Sequence, residues 1–131
     1  MKKYITLLGV IFMTINFMGC NSSSISDRGY QQISMNEAIE MMEEQTDYII
    51  LDVRTPQEFA EKHIPNAINV PNESIGDKTI PELPREDQLI LVYCRSGNRS
   101  KQASEKLVAM GYTNVYEFGG INDWTGETVS D

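Results

Sequence analysis

The chain has 131 residues, two of them cysteine and one histidine, and carries a formal charge of −8. That length builds one domain with a sizeable core rather than two. The acidic balance excludes nucleic acid as the main partner, two cysteines exclude a disulfide-stapled miniature fold, and a single histidine excludes a His-rich metal site.

Residues 1–19 read as a secretory signal peptide. Lys2-Lys3 precede an uncharged stretch from Tyr4 to Met18 in which 11 of 15 residues are hydrophobic, and Gly19-Cys20 and the polar Asn21-Ser22-Ser23-Ser24 follow. Fifteen helical residues reach roughly 22 Å, short of the ~30 Å hydrocarbon core of a bilayer, which argues against a membrane span. The Phe17-Met18-Gly19-Cys20 ending resembles the lipobox of bacterial lipoproteins. That resemblance implies lipidation of Cys20, which becomes the new N-terminus and anchors the protein to a bacterial membrane on its extracytoplasmic side; plain secretion ranks second and an uncleaved anchor third. Cleavage there leaves 112 residues, removes Lys2 and Lys3, and takes the charge from −8 to −10. Residues 20–29 then serve as a flexible tether, and Cys94 is left without an intramolecular partner.

Tyr30–Ile33 is a short strand candidate. Ser34 and Glu37 form a capping box, after which Met35, Ala38, Ile39 and Met42 recur at helical spacing; the methionines pack in the core, and Glu40, Glu43 and Glu44 form a solvated face. Tyr48–Val53 is a near-continuous apolar run, the mark of a strand covered on both faces. Thr55-Pro56-Gln57-Glu58 opens a short helix to about Lys62, with Arg54 and Glu58 placed to form a supporting ion pair. Ala67–Val70 suits another strand, and 71–88, with three prolines and a glycine, is mostly loop with one helical turn. Leu89–Tyr93 is a second buried strand. Ala103, Leu107 and Met110 mark a helix closed by Gly111, Asn114–Phe118 is a last strand, and Gly119-Gly120 leads a short helical segment to Trp124, a core plug. Strands alternate with helices over residues 30–127, leaving 128–131 as a tail. The fold class is α/β, one domain with a mainly parallel central sheet flanked by helices.

The chemistry is concentrated at Cys94-Arg95-Ser96-Gly97-Asn98-Arg99-Ser100, between an apolar strand and an amphipathic helix. Open parallel sheets bind ligands at this carboxyl end of a strand. Backbone amides of such a loop, with the helix N-terminus behind them, favour a thiolate. Gly97 permits the tight curvature. Arg95, Arg99 and Lys101 make a basic island that attracts a small anion.

Spacing separates two chemistries. Protein tyrosine phosphatases use Cys-x5-Arg to cup a phosphate, whereas Cys94 to Arg99 is Cys-x4-Arg, a smaller ring suited to one additional sulfur atom. The loop is similar to that of rhodanese-type sulfurtransferases. Leu51-Asp52-Val53-Arg54, Glu58-Phe59, His63-Ile64-Pro65, Ala67–Pro71, Gly111-Tyr112 and Gly119-Gly120-Ile121 with Trp124 extend the likeness from about Tyr30 to Trp124. One departure is Asn66, where the family usually has glycine; asparagine tolerates positive φ next best, so the turn there is expected to persist.

The resemblance implies a ping-pong sulfur transfer through a Cys94 persulfide, with no cofactor and no metal. Its donor is a small thiosulfate-like anion and its acceptor a thiol or other thiophile. Residues 95–100 form the substrate-binding set, their amides holding the persulfide while Arg95 and Arg99 bind the anionic donor. Arg54 supports the site, and His63 is structural. The protein is taken as a monomer. The alternatives are a non-catalytic rhodanese-like interaction or persulfide-carrier module and, more remotely, a cysteine-dependent phosphatase or arsenate reductase.

Overall fold

A computed structural model of the chain describes residues 29–131. The expected signal peptide, Cys20 and the tether up to residue 28 lie outside the described residues.

Five parallel strands, β1 (Gln31–Gln32), β2 (Tyr48–Asp52), β3 (Ile68–Asn69), β4 (Leu89–Cys94) and β5 (Val115–Gly120), form one sheet in the order β1-β5-β4-β2-β3. Three helices, α1 (Met35–Glu44), α2 (Pro56–Glu61) and α3 (Asn98–Ala109), connect them. Because side chains alternate along a strand, the two sheet faces collect different partners. Leu51, Ile90, Val92 and Cys94 pack with Ala103 and Leu107 of α3 and with Ile75, Ile80 and Leu83 of the β3–β4 loop. Ile50, Leu91, Tyr93 and Phe118 pack on the opposite face with Ala38 of α1 and Ile64. β2 and β4, covered on both faces, are therefore apolar nearly throughout. The expected strands and helices all form, and the 71–88 loop contains its single helical turn at Asn72–Ser74.

Local chemistry fixes the boundaries. Thr55 and Glu58 exchange both bonds of a capping box around Pro56, whereas Ser34 caps α1 through the Glu37 amide alone, half of the box expected there. α3 closes in a Schellman motif, with Tyr112 N–H donating to Leu107 O and Gly111 N–H to Val108 O. Asn66 has φ 68°, so asparagine keeps the turn. Residues 128–131 are fastened to the fold: His63 and Val129 exchange backbone bonds of 2.8 and 2.9 Å, and Asp131 N–H donates to Ala60 O. Trp124 is half-buried, its indole N–H donating to Glu127 O, so it covers the rim of the second cluster instead of plugging the core.

β4 is the middle strand, flanked by β5 and β2, and it delivers Cys94 to the carboxyl end of the sheet. A register shift between Val92 and Cys94 pairs Cys94 with Gly120 of β5. Gly120 backs the loop closely enough that a Cβ there would overlap the Arg95 carbonyl and the Ser96 amide. The loop can lie against the sheet because residue 120 has no side chain.

Candidate active site

Cys94 is 1 % exposed. Past it the backbone turns through Gly97 at φ 108°, the left-handed region that a side chain resists, and enters α3 directly. The turn aims Gly97 N–H at Cys94 Sγ, 3.0 Å away. Ser100, one turn into α3 and fully buried, places Oγ 3.4 Å from the same sulfur. Burial pushes the thiol pKa up. The Ser100 hydroxyl and the Ser100, Gly97 and Ser96 amides act against it and prevail, holding the pKa below its ordinary value. With that balance the thiolate is easier to form than burial alone would allow.

The remaining loop residues divide by environment. Arg95, Ser96 and Asn98 are exposed, Gly97 and Ser100 are buried, and Arg99 lies between. The Arg99 guanidinium forks onto Glu58 of α2, with Nη1–Oε1 at 2.7 Å and Nη2–Oε2 at 3.0 Å. Chiefly through those bonds, Glu58 falls from an ordinary 4.5 to about 2, burial opposing and the Thr55 amide assisting. The basic island is therefore less positive than its composition suggests. Arg99 is already neutralised by a carboxylate, and Arg95 is the loop's exposed cation.

Arg54 does not pair with Glu58 as its spacing suggested. It folds back on Asp52, with Nη2–Oδ2 at 2.7 Å and Nε 3.1 Å from both carboxylate oxygens, and donates from Nη2 to Lys62 O at 2.6 Å. The reason is geometric. Asp52 ends β2 fully buried and needs a counter-charge, while Glu58 is claimed by Arg99. Arg54 still lines a cleft of about 240 Å³ with Glu58, Lys62, Arg95 and Asn122. Cys94 is not part of that lining, whereas Arg95, the next residue in the chain, is. His63 is buried, its ring stacked 3.8 Å from Phe59 and Nδ1 2.8 Å from Phe59 O.

Sequence reasoning missed Glu117. It is 3 % exposed on β5, with Oε1 2.7 Å from Ser100 Oγ and accepting from Gly119 N–H at 2.8 Å. The available signal was alternation: in Val115-Tyr116-Glu117-Phe118 an acid occupies the sheet face that Val115 buries.

A family model described as Rhodanese-like domain matches residues 34–127. Thiosulfate sulfurtransferase PspE of Escherichia coli (strain K12) is 37% identical over 73 residues, covering 56% of this chain and 70% of its own. Putative sulfur carrier protein YrkF of Bacillus subtilis (strain 168) is 30% identical over 111 residues, 84% of this chain and 59% of its own. A solved structure described as rhodanese with anions from E. coli superposes with a TM-score of 0.59 at 33% identity, covering 64% of this chain and 99% of that one.

Proposed function

The chain belongs to the rhodanese-like domain family, and from that premise we propose that it is a sulfurtransferase working through a persulfide on Cys94. The donor is a small thiosulfate-like anion. The Cys94 thiolate attacks the donor's outer sulfur, the S–S bond of the donor breaks, and sulfite leaves with the bonding electron pair. The terminal persulfide sulfur then carries the negative charge, facing the loop amides that had faced the thiolate. An acceptor thiolate attacks that sulfur and returns Cys94 to its starting state. Arg95, exposed on the cleft lining and next to Cys94 in the chain, draws in the donor. Arg99 shapes the loop through Glu58 and contributes less charge to the donor.

The observation that carries this reading is the buried thiol beneath the Gly97 amide, 3.0 Å from it, with its pKa held down. The test is thiocyanate production from thiosulfate and cyanide by the protein and by Cys94→Ser, together with intact mass after thiosulfate alone. The protein is expected to gain the mass of one sulfur atom and to turn over, and the variant to do neither. Mass gain without turnover favours a carrier, a reading supported by the likeness to a putative sulfur carrier protein. Neither mass gain nor turnover refutes the proposal.

We also propose that the chain acts outside the cytoplasm, anchored by lipid on Cys20. This rests on Lys2-Lys3, the apolar stretch and Gly19-Cys20. The mass of the mature N-terminus tests it; a free Cys20 or a retained Met1 refutes it.

A further inference from the structure

Ser100 sits between two buried groups that both compete for a proton. Its Oγ lies 3.4 Å from Cys94 Sγ and 2.7 Å from Glu117 Oε1. All three residues are at most 3 % exposed, and the Gly119 amide fixes the carboxylate oxygen from the other side. The hydroxyl has one proton, and four acceptors lie within reach: Cys94 Sγ, Glu117 Oε1, Gly97 O at 2.9 Å and Gly119 O at 3.3 Å. An ionised carboxylate at the shortest distance takes it in preference to a carbonyl. The Ser100 oxygen then offers only lone pairs to the sulfur, an arrangement that suits a thiol and opposes a thiolate. With a proton on Glu117 the chain reverses. The carboxyl O–H donates to Ser100 Oγ and the Ser100 O–H donates to the sulfur, which suits the thiolate. Two negative charges in so small a buried volume are expensive, so the site favours holding one.

We propose that Cys94 and Glu117 share one proton through Ser100, Glu117 being the store that takes the thiol proton when the nucleophile forms. In that step the Cys94 S–H bond breaks and its proton passes to Ser100 Oγ. The Ser100 proton moves to Glu117 Oε1, the electron pair stays on sulfur, and nothing is oxidised or reduced. The site's charge is unchanged, so the nucleophile forms without exchanging a proton with bulk water. Glu117 acts through Ser100 and touches no substrate.

Other charged and titratable groups surround the pair. Arg95 belongs to the loop. Arg99 of α3 is engaged with Glu58, and Arg54 at the end of β2 with Asp52. Tyr93, next to Cys94 in β4, has its pKa raised by burial and by Asp52, and Tyr30 is buried in the same cluster as Cys94. Among these neighbours, Glu117 is the one bonded to Ser100.

This inference deepens the reading of Cys94 as nucleophile and rests on it, so its test avoids sulfur transfer. The rate of Cys94 alkylation by iodoacetamide, followed by mass against pH, reports the thiolate fraction without any donor. A shared proton makes the wild-type rate rise in two steps separated by more than about one pH unit, because the pair titrates as a unit. Glu117→Gln cannot take the proton, so it is expected to give a single step. One step in the wild type overturns the proposal, and so does a two-step profile that survives Glu117→Gln. The wild-type result stands by itself if the variant fails to fold. An inactive protein with the two-step profile would refute the sulfurtransferase reading and leave the shared proton intact.

Discussion

Replacing Glu58 by glutamine removes the charge from the pair that ties α2 to the start of α3. Arg99 holds Glu58 at about 2 against an ordinary 4.5. That difference of 2.5 pH units, at 1.36 kcal/mol each, sets an upper bound of about 3.4 kcal/mol. The two side chains are 27% and 26% exposed, and solvent screening reduces the contribution to roughly 1–2 kcal/mol. The sign follows from the direction of the shift. Folding lowers this pKa, so the contribution is complete above about 4.5 and is lost as pH falls towards 2. Urea unfolding of the protein and of Glu58→Gln should therefore differ by roughly 1–2 kcal/mol at neutral pH, and the two curves should converge near pH 2. Equal stability at neutral pH, or a gap that persists undiminished at the acid end, would refute this account of the pair.

Two further outcomes are expected. Gly120→Ala puts a Cβ into the Arg95 carbonyl, so the loop must leave the sheet; sulfur transfer should fall by at least about a hundredfold, the scale on which misplacing reacting groups by 1 Å acts, while circular dichroism shows the fold retained. Arg95→Ala, at an exposed side chain, should change stability by no more than about 0.5 kcal/mol and raise the KM for thiosulfate more than it lowers kcat, since it removes attraction for the anion and leaves the thiol cradle in place.

Much of the fold was legible because the strongest signals were local. Leu89–Tyr93 could only be a covered strand, Thr55-Pro56-Gln57-Glu58 only a helix start, and Asn66 replaced a glycine with the residue best able to keep its backbone. The thiol-bearing loop was legible for the same reason, since Cys94 to Ser100 is a continuous segment that carries its own amides. What could not be read was pairing between segments distant in sequence. Arg54 has an acid four residues ahead and another two residues behind, and only the burial of Asp52 at the end of β2 decides between them. Arg99 and Glu58 are 41 positions apart, and Ser100 and Glu117 meet only because β5 lies beside β4. Spacing along a helix ranks near neighbours; it is blind to a partner brought in by the sheet.

The sheet also has a social consequence. Its outer strands, β1 and β3, are each two residues long, whereas the long hydrogen-bonding ladders run through β2, β4 and β5, inside. A neighbouring chain that approached either margin would find barely one pair of backbone groups to zip onto, too few to repay the ordering of an added strand. Crowding such molecules together should therefore not drive edge-to-edge growth through these two strands.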